Sequence, residues 1–216
     1  MTPGPLASAY GPLADVVAGL GDADAWTPTG CLGWVVRDLV THLRADTVRA
    51  LVAVHTPAGR AADCDAVRYW ADWGSDADAD EETRRWTRAE SLPWSWTGLR
   101  DRYVESAAAA ARAFEAADPA AVVATQGHAL TVADLTSTLV VEATLHHVDL
   151  VTSLDAPGPP PEGMTEVRRV VEALLGPAAS VSGWTDERVA LVGTGRAVPT
   201  SDEVADLAGA RVPVFT

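Results

Sequence analysis

The chain contains no lysine, no asparagine and no isoleucine, and its 16 basic residues are all arginines. Without lysine there is neither a Schiff-base amine nor the cation of a Walker-type phosphate loop, so both chemistries are excluded. The missing residues are those with A/T-rich codons, while Ala, Arg, Gly, Pro and Asp abound, which is the signature of a very GC-rich bacterial genome. Cysteine is scarce: Cys31 and Cys64 lack CxxC spacing, and no charged region followed by an apolar one opens the chain. The pair is therefore read as free thiols in a reducing cytoplasm. Apolar runs all fall short of the roughly 18 residues that span a bilayer, so no membrane partner is expected. Positive charge is also scarce. Thirty acidic residues give a formal charge of −14 and there is no basic run, which excludes phosphate-rich partners such as nucleic acid.

What is present is a hydrophobic share of 48% in 216 residues, ample for one packed core. The spacing predicts a first helix over 6–20, closed by Gly21, and a turn-rich connection over 26–33. A second helix is predicted over 34–54, where Val36, Leu39, Val40, Leu43, Leu51 and Val54 recur at three- and four-residue steps before Pro57 and Gly59. Residues 60–95, with five tryptophans counted through Trp96 and an acidic stretch from Asp76 to Glu82, are read as a long, partly ordered excursion. A third helix is predicted over 96–117, carried by Ala107 to Ala111 and stopped by Asp118 and Pro119. Thr131 followed by Asp134 resembles a capping box and opens a fourth helix to about Leu154, ahead of a Pro-rich break at 157–161.

On the fourth helix Leu135, Leu139, Glu142, His146 and Leu150 fall on one stripe, so a carboxylate and an imidazole face the core side. Burying an unpaired carboxylate costs several kcal/mol, comparable with the net stability of a domain. A divalent metal shared by Glu142, His146 and His42 from the second helix offsets that cost and leaves an open coordination position. An arginine partner for Glu142, with ordinary core histidines, is the alternative. Two imidazoles and a carboxylate suit zinc, nickel and iron alike.

The segments Gly33-Trp34-Val35-Val36-Arg37-Asp38-Leu39-Val40-Thr41-His42-Leu43 and Val141-Glu142-Ala143-Thr144-Leu145-His146-His147-Val148-Asp149-Leu150 closely resemble the GW-x-V-x-DLVxHL and E-xxx-HxxDL signatures of the DinB-like superfamily. The likeness is to the mycothiol-dependent maleylpyruvate isomerase family. Trp26, Pro28, Asp118-Pro119, Gly127 and Leu130 to Asp134 agree with it, and so does Gly195-Arg196. The resemblance implies an all-α, DinB-like four-helix bundle (up-down-down-up) over 1–155, with 156–216 as a short C-terminal extension packed on it; residues 55–95 supply the long crossover this needs. It also implies that His42, Glu142 and His146 hold the metal and that mycothiol, a low-molecular-weight thiol of GC-rich actinobacteria, is cofactor or cosubstrate. Maleylpyruvate isomerases carry a substantial second domain that contributes to the active site, whereas about 60 residues follow Asp155 here, so the metal and the thiol carry over more firmly than the substrate.

The expected enzyme is thus a mycothiol-dependent S-transferase or isomerase in which a metal-bound thiolate attacks an electrophilic small molecule. Asp38 and Asp149 are candidates for orienting the ligand imidazoles, with a helix N-terminal charge as the other role for Asp38. Arg196 is a candidate clamp for a carboxylate of the thiol or substrate, and Trp34 and Trp96 are candidate pocket walls. His147 is an alternative ligand should the helix be rotated, and His55 and His128 are surface or cap residues. A metal-dependent hydrolase using bound water, and a non-catalytic binding bundle, are the competing classes. A homodimer is compatible with the sequence.

Overall fold

The computed structural model describes residues 3–71, 73 and 77–215, with the side chains of 77–80 outside the description. Four long helices form the frame: α1 (Pro5–Gly19), α2 (Val36–Val54), α5 (Trp96–Ala116) and α6 (Val132–Val151), with α3 (Ala66–Ala71) and α4 (Ala77–Ser91) between the second and third of them. α5 packs against both α1 and α2, and α6 closes the frame against the same two. Each long helix follows from its apolar stripe: Leu6, Leu13 and Val17 of α1, Val36, Leu39, Val40 and Leu43 of α2, and Leu99 and Tyr103 of α5 are buried together. Caps set the boundaries. The Ser95 side chain accepts from Gly98 N at the start of α5, and Thr131 accepts from Asp134 N at the start of α6, as the capping pattern requires.

The excursion over 60–95 is more ordered than expected, since α3 and α4 occupy most of it. The acidic stretch from Asp76 to Glu82 begins at a residue outside the described ones, and its remainder is the first turns of α4. A second departure is a hairpin ahead of α6. β1 (Val122–Thr125) and β2 (His128–Thr131) pair antiparallel around a turn in which Gln126 and Gly127 both have positive φ, the pattern of a tight two-residue loop. Ala58 N donates to Val122 O and Ala124 N to Thr56 O, so the hairpin is stitched to the chain leaving α2.

Residues 156–216 form α7 (Pro161–Leu175), α8 (Asp186–Gly193) and α9 (Ser201–Asp206). α7 lies on α6, α3 and α1, and α8 on α7. Met164, Val167, Val170 and Val171 join the same hydrophobic core as the long helices. α6 is consequently covered on nearly every side, and among its polar residues Asp149 and His147 are fully buried while Glu142 and His146 are half-buried.

Candidate metal centre

His42 sits early in α2, and Glu142 and His146 sit one turn apart on α6, so two packed helices present their side chains to one point. Glu142 Oε1 lies 3.0 Å from His42 Nε2 and 3.3 Å from His146 Nε2, and the two imidazoles cross edge to face at 4.8 Å. A tetrahedral site with bonds of about 2.0–2.1 Å has ligand-to-ligand edges of about 3.3 Å. The spacing therefore matches a coordination shell. Side-chain exposures of 17% for His42, 25% for Glu142 and 14% for His146 mean the cluster can be reached from solvent.

The tautomer of His146 supports the same conclusion. Its Nδ1 lies 3.1 Å from Asp149 Oδ2, which accepts the Nδ1 proton and leaves a lone pair on Nε2 facing the Glu142 carboxylate. Two lone pairs at 3.3 Å require a positive charge between them, either a second proton or a metal ion. Without metal the protons serve: burial alone would lower the His146 pKa, but the Glu142 charge and hydrogen bonds to Asp149 and Cys31 hold it well above 6.5. For Glu142, burial works upward, and the charges and hydrogen bonds of His146 and His42 outweigh it and hold the carboxyl well below its usual range. The donor set and its electrostatics fit a divalent cation in place of those protons.

Asp149 is the hub behind the site. Burial raises its carboxyl, yet the hydrogen bonds of His146 and Arg196 and the Arg196 charge hold it far below the ordinary carboxylate range. Arg196 Nε donates to Asp149 Oδ1 at 2.9 Å and Nη2 donates to Oδ2 at 2.7 Å, a bidentate pair. Arg196 thus clamps a carboxylate of this chain, where the sequence suggested one belonging to a ligand. Asp38 turns away from His42: its Oδ2 accepts from Val35 N at the start of α2 and its Oδ1 accepts from Ser91 Oγ, the helix N-terminal role. Trp34 packs on the His42 ring with centroids 5.2 Å apart. Trp96 lies in the core, where its indole N–H donates to Leu20 O, so it does not wall the site. His147 points to the opposite side of α6, with Nε2 3.0 Å from Pro157 O, which removes it as an alternative ligand. His55 is exposed at the end of α2, and His128 opens β2 beside Tyr69.

Two residues at the site were missed from the sequence. Cys31 Sγ lies 3.2 Å from Asp149 Oδ2 and 3.6 Å from His146 Nδ1. Its loop is pinned to α6 by Gly30 N donating to Asp149 O, and a Cβ on Gly30 would meet Asp149 Oδ1 at 2.8 Å. Burial is the main cause of its raised thiol pKa. No spacing rule links this loop to a helix 115 residues away. Asp46 did carry a signal, standing four residues after His42 as His146 stands four after Glu142. Its Oδ2 lies 3.1 Å from His42 Nε2 in an orientation that makes a charge contact and no hydrogen bond, and its Oδ1 takes Arg49 at 2.9 Å.

His42, Asp46 and Glu142 lie on the wall of a cavity of about 280 Å³. Tyr69, Trp70 and Trp73 give it an aromatic side, Leu135 and Leu139 an aliphatic one, and Arg49, Glu90 and Gln126 polar groups. Tyr69 is held in place through its hydroxyl, which donates to Gln126 Oε1 in the hairpin turn.

By fold and site this is a helical protein in which two imidazoles and a carboxylate from neighbouring helices meet beside a ligand-sized cavity. Residues 6–151 match the family model of the mycothiol maleylpyruvate isomerase N-terminal domain, and the chain belongs to that family. Among solved structures it is similar to the crystal structure of a histidine-to-alanine mutant of the mycothiol-dependent maleylpyruvate isomerase, with TM-score 0.52 and 15% identity. That match takes in 77% of this chain and 66% of the other, just under two thirds, and at this identity it speaks for the fold. No curated protein matches.

Proposed function

We propose that this chain is a metal- and mycothiol-dependent enzyme acting on an electrophilic small molecule, by S-transfer or by thiol-assisted cis-trans isomerisation. The observation that carries the proposal is the convergence of His42 Nε2, His146 Nε2 and Glu142 Oε1 beside the cavity, in a chain of this family. We take residues 1–155 as a metal-binding four-helix bundle in the up-down-down-up order and 156–216 as its extension. Zinc is the first choice of metal, with nickel or iron as the others. We take a reducing cytoplasm as its compartment, in keeping with a chain that has two cysteines in all.

A cation held by His42, Glu142 and His146 would supply the charge that keeps the mycothiol sulfur as thiolate at neutral pH. This chain's residues do the rest. Asp149, fixed by Arg196, holds His146 in the Nδ1–H tautomer, and Trp34 limits rotation of His42 by packing on its face. The cavity walls present the second substrate to the sulfur. A thiol bound there would supply the nucleophile, either for forming a C–S bond with loss of a leaving group and its bonding pair, or for reversible addition to a conjugated alkene that frees the former double bond to rotate.

The test is elemental analysis of the purified protein and of its His42→Ala and Glu142→Ala variants, followed by calorimetric titration of each with mycothiol. About one metal per chain in the wild type, lost in both variants together with thiol binding, is the expected result. A wild-type protein that folds without metal and binds no thiol would overturn the proposal.

A further inference from the structure

The charge inventory of the cavity narrows the second substrate. Among the described residues that line it, Arg49 is the one cation, and its charge is opposed by Asp46 at 2.9 Å. Glu90, exposed to solvent, adds a second carboxylate at the wall and makes no ion pair among the described residues, and Glu142 is a third. Other arginines are not part of the lining: Arg84, Arg85 and Arg88 gather on Glu81, and Arg196 is locked on Asp149. Counting a divalent cation as balanced by Glu142 and a bound thiolate, the remaining groups are Arg49 against Asp46 and Glu90, a formal charge of −1. Taking Asp46 as neutral would bring the sum only to zero. Neither state offers a net positive charge to an anion. The outer field agrees, since the whole chain carries −14. The remaining surface is the aromatic group Tyr69, Trp70 and Trp73, with ring centroids 5.3–6.2 Å apart, and Leu135 and Leu139. The cavity's volume of about 280 Å³ falls just below the range of ordinary ligand pockets, about 300–1,000 Å³.

We infer that this site selects a small, uncharged electrophile with apolar or aromatic substituents and discriminates against dicarboxylates. The inference rests on the thiol-dependent reading above and deepens it. A dicarboxylate needs cationic clamps that this cavity lacks, whereas an uncharged acceptor loses little solvation on entering an aromatic cleft. Glu90 is then a specificity determinant, because it stands at the wall and its charge repels a carboxylate without touching the metal ligands.

The experiment compares dimethyl maleate with maleate, each assayed with mycothiol and the zinc-loaded full chain. Rates are expressed as acceleration over the uncatalysed thiol reaction, so intrinsic reactivity cancels, and both thioether formation and isomerisation are scored. At low ionic strength the diester should be accelerated at least ten-fold more than the dianion. Salt should raise the efficiency with maleate by screening repulsion and leave the diester unchanged. Glu90→Arg should narrow the ratio several-fold by improving maleate. Equal or greater acceleration of maleate by the wild type, or a ratio untouched by Glu90→Arg and by salt, would overturn the inference while leaving the thiol-dependent reading intact. Acceleration of neither compound, with metal and thiol bound, would overturn that reading and the inference with it.

Discussion

Asp149 joins three parts of the chain at one carboxylate: it fixes the His146 tautomer, receives both arms of Arg196 and contacts the Cys31 thiol. Such a partner behind a metal-bound imidazole governs ligand orientation and basicity, and its loss typically costs about 10–100-fold in metal affinity. Asp149→Asn keeps the shape and removes the charge, so metal affinity measured by chelator competition should fall by about that factor while helical content by circular dichroism is retained. Unchanged affinity would show that Asp149 serves packing alone. The ligand pair itself predicts a pH dependence. In metal-free protein the raised His146 pKa contributes stability that is complete below its unfolded value of about 6.5 and is lost as pH rises through the folded value. The lowered Glu142 pKa contributes stability that is present above about 4.5 and is lost as pH falls. Metal-free Tm should therefore peak between about pH 4.5 and 6.5 and decline toward pH 8, each pH unit of unequal titration being about 1.4 kcal/mol. Because a metal requires deprotonated imidazoles, the gain in Tm from zinc should grow over the same rise in pH. A metal-free Tm that climbs from pH 6 to 8 would contradict the proton-held pair.

At the scale of elements, α2 was legible from its 3.6-residue apolar period, α5 from its alanine series and α6 from its capping pattern, and their sequence boundaries fall within about three residues of those observed. The hairpin was not legible, because four-residue strands carry too few alternations to show a period of two and Thr131 announces the helix that follows. α3 was hidden by its six residues and α4 by its many charged positions, which present little apolar stripe. Within the site, His42, Glu142 and His146 stood out because two of them share a helix at one-turn spacing, and Arg196 stood out as a clamp, though for a ligand; Cys31 comes from a loop that only tertiary packing brings to α6. One element contact gives a sign that propensity alone would get wrong. Gly193 is the last residue of α8, where alanine should be better by up to about 1 kcal/mol on helix propensity. A Cβ there would run into the Val171 side chain of α7. Gly193→Ala should thus destabilise, by about 1–3 kcal/mol for an overpacked core, and lower Tm by several degrees. A raised Tm would show that the α7–α8 contact yields freely.

For the whole molecule, residues 156–216 join the core and reach the proposed metal site. Arg196 follows α8, α8 packs on α7, and α7 lies on α6, so a chain of contacts from the C-terminal segment ends in a bidentate grip on the carboxylate that orients His146. Arg196→Ala leaves Asp149 buried with His146 and the Cys31 thiol as its remaining side-chain partners. Removing one member of a buried pair costs about 3 kcal/mol, or a Tm loss of about 6–12 °C for a chain of this length. Lysine offers a point charge in place of a planar fork, so Arg196→Lys should recover part of the stability while leaving Asp149 less firmly aimed. If the segment only staples the core, metal affinity will be the same in both variants once they are folded, and Tm alone will move. If it completes the site, zinc affinity at 20 °C should fall about ten-fold in Arg196→Ala and by less in Arg196→Lys, and both should bind mycothiol more weakly in proportion. The two outcomes separate in one set of chelator titrations.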